Sequence, residues 1–262
     1  PELAHVTSRA AFHMGLTAEY LASRYGISRE AQDHYALRSH QRAAAARQQA
    51  WWNQQIVPTP ALDDDGQPTL LKHDPCVRES SNIAALAALK PAFLSTGGSV
   101  TAGNSSPLND GAAALLVMSE QTCRTLGLRP LAAVRATAVV GVEPSVMGIG
   151  PVAAIERALS KSKLSLDQLG FIEINEAFAV QTLACLKLLK LSTAGERDCD
   201  ERVNAFGGAI AIGHPLGASG ARLAMNLALA LREYDRPVGV AAMCIGLGQG
   251  IATVLERVAF GT

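Results

Sequence analysis

Three residues of this 262-residue sequence stand in surroundings suited to chemistry: a cysteine ending an apolar strand, a histidine amid glycines, and an asparagine at another strand end. Cys244 follows the apolar run 238–243 and opens Cys-Ile-Gly-Leu-Gly-Gln-Gly. A thiol there is either a packed core group or a reactive one, since free cysteine is common in cores. His214 lies in Gly-Gly-Ala-Ile-Ala-Ile-Gly-His-Pro, continued by Leu-Gly-Ala-Ser-Gly-Ala-Arg. Such glycines permit unusual backbone angles and close approach of a ligand. Pro215 restricts His214 to an extended conformation, on a turn rather than within a helix. The plainer alternative is a loop histidine satisfied by hydrogen bonds. Asn175 follows the run 171–174 and precedes Glu176-Ala177-Phe178-Ala179. There it either caps the next helix or offers its amide to a ligand. A fourth segment, Val-Thr-Ala-Gly-Asn-Ser-Ser-Pro-Leu-Asn-Asp-Gly at 100–111, is a polar turn ahead of an apolar run. The glycines after Cys244 do not make a dinucleotide loop. A β-like Ile-Ala-Thr-Val-Leu follows them where a helix N-terminus would have to meet pyrophosphate.

These residues need a frame. Residues 131–142 read as a strand, 151–160 as a helix with Pro151 in its first turn, 171–174 as a strand and 176–189 as a helix. Residues 218–232 read as a long Ala/Leu helix, then 238–243 and 251–258 as two strands joined by a glycine turn. This alternation argues a mixed sheet covered by helices, with ligands at strand ends. Residues 112–118 read as a short buried strand. Upstream, residues 1–97 are polar, helical and loop-rich. A helix over 15–24 is opened by Thr17 and stopped at Gly26, and Ser28 caps a longer one with Glu30 and Asp33 in its early turns. Residues 58–68, with three consecutive aspartates, read as a surface turn or loop. No tight apolar alternation appears in this region, so it is expected to lean on another domain.

Composition narrows the function classes. Hydrophobic residues make up 48% and charged residues 18%, enough for a sizeable core in one large or two modest domains. Lys+Arg and Asp+Glu balance at 23 each, which gives no footprint for nucleic acid or an anionic membrane surface. No apolar run reaches the length of a membrane span. The five cysteines are odd in number with no CxxC spacing, so neither a metal site nor a disulfide framework is expected, and a reducing compartment is. The sequence begins Pro-Glu-Leu, the expected start of a fragment whose targeting signal, if any, is out of view.

Together the four segments, with His13-Met14-Gly15-Leu16-Thr17-Ala18-Glu19 and Ile27-Ser28-Arg29-Glu30, resemble the thiolase superfamily over nearly the whole chain and in order. The Cys244 block and Val139-Val-Gly-Val-Glu-Pro-Ser-Val-Met-Gly are similar to the degradative 3-ketoacyl-CoA type, whose bacterial members form the β subunit of a fatty-acid-oxidation complex. The resemblance implies an α/β thiolase-like fold: a mixed five-stranded sheet covered by helices, a helical loop domain, and an incomplete first half. It divides the chain into a coenzyme-binding loop domain at 1–97, the remainder of an N-terminal domain at 98–128, and a C-terminal domain at 129–262. It implies thiolytic cleavage of 3-ketoacyl-CoA by CoA, with coenzyme A as substrate and no further cofactor. The setting it implies is the bacterial cytoplasm, as a homodimer that associates with a hydratase/dehydrogenase α subunit.

Residue roles come with the resemblance. His214 would activate the nucleophilic thiol and donate to the thioester oxygen. Asn175, through a water, would complete that oxyanion site, and the Gly246 amide would help form a second one. Cys244 would shuttle the proton at the acetyl carbon, a task for which a thiol near its working pH is suited. His13, Met14, Ser106, Ala177 and Phe178 would line the pantetheine channel, and Arg78 would meet the adenine nucleotide end. Three departures stand out. The family nucleophile is expected in a half that precedes this chain. None of Cys76, Cys123, Cys185 or Cys199 has its setting, a strand-to-helix turn in a Cys-Gly-Ser block, so the chain alone is expected to lack thiolysis. Phe206 stands where a polar residue is expected before Gly-Gly, and residues 193–200 read as a surface insertion. The alternatives are a biosynthetic acetoacetyl-CoA thiolase and a catalytically dead acyl-CoA-binding or assembly subunit.

Overall fold

The computed structural model describes residues 13–63, 65–192 and 199–258. Most of the surface insertion expected at 193–200 lies outside them. Helix α1 (Met14–Tyr25) ends at Gly26, whose φ of 63° is the left-handed stop expected there. Thr17 does not open it. Its hydroxyl donates to Met14 O at 2.7 Å, one turn inside. Ser28 does open α2 (Arg29–Gln48), accepting the Ala31 N–H at 3.0 Å. Residues 58–68 are more ordered than a loop. Strand β1 (Thr59–Leu62) pairs antiparallel with β2 (Pro68–Leu71), because Asp63 Oδ1 accepts the N–H groups of Asp65 and Gln67 and turns the chain. Helix α3 (Ile83–Ala87) follows, capped by Asn82.

The strand expected at 112–118 does not form. Those residues have no assigned element, and Leu116 and Val117 are 81% and 76% exposed. An apolar run becomes a strand only when a neighbour satisfies its backbone, and among the described residues no strand pairs with it. A short helix α4 (Glu120–Thr125), capped by Ser119, comes next.

The sheet that carries the site has order β3-β6-β5-β4, with β3 (Ala133–Gly141), β4 (Phe171–Ile174), β5 (Val238–Ile245) and β6 (Gln249–Glu256). Strands β3/β6 and β5/β6 are antiparallel, and β4/β5 are parallel, so the sheet is mixed as expected. Among the described residues four of its strands form in full. Beyond β4 the fifth position is a single parallel bridge between Ile172 and Val203. Three residues join β5 to β6, and Gly248 makes the turn possible. Its φ is 96°, and a Cβ there would lie 2.3 Å from Val142 O.

Helices cover both faces. α5 (Gly150–Ser162) packs Ile155, Ala158 and Leu159 on one face of β5 and β6, with α6 (Ala179–Leu188) and α1 closing the same core. A four-residue helix α7 (Ala209–Ile212) precedes the long α8 (Leu216–Glu233). Leu223, Leu227 and Leu231 of α8, one turn apart, meet Ala241 and Leu255 on the opposite face. The polar N-terminal region leans on this half as expected: α1 packs on α6, and α2 on α6 and α7. No helix among the described residues is long and apolar enough to cross a membrane.

Candidate active site

Asn175 and Cys244 meet at one end of the sheet. Ile174 pairs with Ala242, and the Asn175 N–H donates to Ala242 O at 2.9 Å. Asn175 therefore ends β4, and Cys244 lies two residues farther along the parallel strand β5. This is the carboxyl edge where open α/β sheets hold ligands. Asn175 is fully buried and does not cap α6, whose N-cap is Phe178 three residues on. Its amide instead meets a histidine: Nδ2 lies 3.2 Å from His214 Nε2.

His214 is held from three sides. Its N–H donates to Asn109 Oδ1 at 2.9 Å. Gly213, at φ 101°, brings the chain so close that a Cβ would lie 2.6 Å from the Asn109 amide. On the ring, Nδ1 is 2.6 Å from Ser219 Oγ. The Ser219 hydroxyl donates to Pro215 O at 3.1 Å, so its oxygen accepts the Nδ1–H. Nε2 then keeps its lone pair toward Asn175, the protonation state of a base. Burial, and next the Arg222 guanidinium, lower the His214 pKa to about 4, so the ring is neutral at physiological pH.

Cys244 is buried against Met147 and Ala177, with Met14 and Phe178 leaning on the cluster. Burial pushes its pKa up to about 12. The expectation of a thiol poised near working pH is therefore not met. The group rests as the protonated thiol, a proton donor. Met14 also covers Gly246, whose position for a Cβ is 3.6 Å from the Met14 sulfur.

The expected pantetheine-lining residues form one band beside these groups. Ser106 N–H donates to Ala177 O at 3.0 Å, and Ser105 bridges Phe178. Phe93 binds the band together: its ring is edge-on to His13 at 5.4 Å and to Phe178 at 6.1 Å. Arg78 lies apart, in a cleft of about 160 Å³ with His40, Cys76, Ser105 and Pro107. Its N–H donates to His40 Nδ1 at 3.2 Å, which requires a neutral His40. Burial and the Arg78 charge lower the His40 pKa to about 4.

The buried carboxylate of Glu176 ties the loop region to the sheet. It accepts from Tyr35 Oη at 3.0 Å, Ser39 Oγ at 2.6 Å and Asn204 Nδ2 at 2.8 Å. Phe206 disturbs no hydrogen bond at His214. It stacks on Trp51 at 4.0 Å and packs near Phe171 and Tyr234 in an apolar cluster. Sequence reasoning gave no role to Asn109, Ser219, Phe93 or Glu176. Ser219 and Glu176 stand inside quoted motifs, and their signal was a polar residue where the fold packs tightly. Of the other thiols, Cys123 lies in α4 and Cys185 in α6, where burial pushes its pKa far up. Cys76 is raised by burial and by Asp74, and Cys199 is buried.

The fold and this site define the class. The thiolase N-terminal domain matches residues 3–121 and the thiolase C-terminal domain residues 128–257, and the chain belongs to the thiolase family. It is 48% identical over 258 residues to a 3-ketoacyl-CoA thiolase of Saccharophagus degradans and 52% identical to one of Escherichia coli. Each match takes in 98% of this chain but only 65% and 66% of the relative's length. Among solved structures it is similar to the Bacillus anthracis acetyl-CoA acetyltransferase, with TM-score 0.87 and 42% identity over 94% of this chain and 60% of that one. The human mitochondrial 3-ketoacyl-CoA thiolase gives TM-score 0.83 and 38% identity with the same coverage.

Proposed function

We propose that the protein is a degradative thiolase, cleaving 3-ketoacyl-CoA with CoA to acetyl-CoA and an acyl-CoA two carbons shorter in fatty-acid β-oxidation. The observation that carries this reading is the Asn175–His214 pair standing at the same sheet end as a protonated Cys244. Thiolysis needs a base for the attacking thiol, donors for an oxyanion, and an acid for the leaving carbanion. His214 Nε2 is the base for the nucleophilic cysteine, which is expected ahead of this chain and adds to the ketone carbon, and once protonated it is an oxyanion donor. Asn175 Nδ2 supplies a second donor, and the Gly246 N–H serves the other carbonyl. Cys244 gives its proton to the acetyl carbon.

His13, Met14, Ser106, Ala177 and Phe178 line the pantetheine arm, and Arg78 faces the nucleotide end. Coenzyme A is substrate, with no further cofactor. Residues 1–97 act as the coenzyme-binding loop domain, 98–128 as the rest of an N-terminal domain and 129–262 as the C-terminal one. We read the working form as a cytoplasmic homodimer that docks on a hydratase/dehydrogenase α subunit, which light scattering with and without that subunit would check.

The test is catalysis with acetoacetyl-CoA and a longer 3-ketoacyl-CoA by the chain completed with a thiolase N-terminal segment that carries the nucleophilic cysteine, since the chain alone is expected to lack thiolysis. Cys244→Ser keeps shape but offers a far weaker acid, so turnover is expected to fall about 10²–10⁴-fold. The same variant is expected to lose exchange of the acetyl-CoA α-protons with deuterated solvent, and His214→Ala to impair both exchange and acylation by an activated acyl-CoA. Exchange at the parental rate in Cys244→Ser would make Cys244 a packed thiol. Binding of acyl-CoA with no turnover in the completed parent would favour the acyl-CoA-binding alternative.

A further inference from the structure

Behind Asn175 lies a buried carboxyl–guanidinium pair that the reaction does not use. Glu173 on β4 and Arg222 on α8 have side chains only 3% and 15% exposed, and their Oε2 and Nη1 atoms stand 3.6 Å apart. The other Glu173 oxygen accepts from Asn226 Nδ2 at 2.9 Å, and Asn226 Oδ1 is held by Trp51 Nε1 at 2.8 Å and Gln55 Nε2 at 3.1 Å. Glu173 Oε2 and Arg222 Nη1 have no hydrogen bond. Such a pair adds little to stability, because desolvation offsets the attraction. Its other arm points at the site: Arg222 Nη2 donates to Asn175 Oδ1 at 3.4 Å. The two ends of an asparagine amide are alike in shape and opposite in hydrogen-bonding sense. With Oδ1 drawn toward the cation, Nδ2 is left facing His214 Nε2.

We propose that Arg222 is a positioning residue whose guanidinium, held against Glu173, sets the orientation of the Asn175 amide and thereby the position of the proton on the His214 ring. A donor facing Nε2 keeps that nitrogen bare and leaves the ring proton on Nδ1, toward Ser219. The reversed amide would present Oδ1, favour Nε2–H and remove the lone pair. The consequence for catalysis rests on the thiolase reading, whereas the orientation is a property of the folded chain.

Nitrogen NMR of the chain labelled in its histidine rings tests this, with the His214 signals assigned by their loss in His214→Gln. At neutral pH the expected ring has protonated Nδ1 and bare Nε2. A wild-type ring protonated at Nε2 overturns the proposal without any variant. Arg222→Met, and Arg222→Met combined with Glu173→Gln so that no buried charge is left unpaired, are expected to shift the ring toward Nε2–H. Arg222→Lys, which keeps a charge and a donor, is expected to retain the wild-type tautomer. A folded protein lacking Arg222 with Nε2 as bare as in the wild type overturns the assignment. Absence of thiolysis would leave these tautomers unchanged, so the two readings fail separately.

Discussion

At the scale of single residues the site is built from exchanged roles. Asn175, in a setting made for a helix cap, turns to a histidine, and a serine one turn into α8 accepts the hydrogen bond of the Nδ1–H on the far side of that ring. Gly213 is the residue on which this depends. An alanine there would carry a strained φ of 101° and a Cβ 2.6 Å from Asn109. Gly213→Ala is therefore expected to cost about 1–3 kcal/mol, read by denaturant unfolding, and to displace His214 from Asn175. Unchanged stability would mean the loop relaxes freely. The pantetheine band makes a second prediction. Ser106→Leu is expected to weaken CoA binding more than Glu79→Gln on the surface, and equal calorimetric affinities would remove Ser106 from the channel.

Elements set the direction in which these residues point. The parallel pair β4/β5 places Asn175 and Cys244 at one end, and α8 braces the pair from behind with Leu223, Leu227 and Leu231. Leu227 is fully buried. Leu227→Ala is expected to destabilise the fold by about 2–5 kcal/mol, measured as a drop in the denaturant midpoint. A loss below that range would show that α8 shifts to fill the space. The unpaired run 112–117 is the opposite case. Its exposed backbone has no ladder to protect it, so limited proteolysis is expected to cut there before it cuts β5 or α8.

On the scale of the whole molecule, three buried groups link stability to pH. His40 and His214 both titrate near 4 in the fold against 6.5 ordinarily, so between these values the unfolded chain binds protons that the folded chain refuses. Their stabilisation is complete above pH 6.5 and is lost as pH falls toward 4. Glu173, raised by burial to about 7 from 4.5, works in reverse: the folded chain holds its proton, and that contribution fades as pH rises through 7. Asp74, raised by burial, and Asp200, lowered by its Arg202 hydrogen bond, act in opposite senses, and the two histidines oppose Glu173, so the melting temperature is expected to drop on acidification from pH 6.5 to 4.5. In a His40→Gln/His214→Gln protein this drop should vanish, and an unaltered drop would place the acid sensitivity elsewhere.

By itself the sequence determined the parts whose causes are local. Glycine and proline punctuation marked the turns at Gly26 and 246–248, apolar periodicity marked β4, β5 and α8, and long motifs carried the family and the His214 and Cys244 blocks. It read 112–118 as a strand because apolar pattern was the only signal, and pattern does not say whether a partner strand is at hand. It gave Cys244 an ordinary thiol acidity because burial is not local information. The tertiary structure alone decided that Asn175 faces a histidine rather than a helix, that Glu176 is a tie and not a reagent, and that Phe206 finds Trp51. Each of these is a contact between residues 28 or more positions apart. Chain neighbours cannot encode such contacts singly, because they exist only once the sheet and its helices have closed.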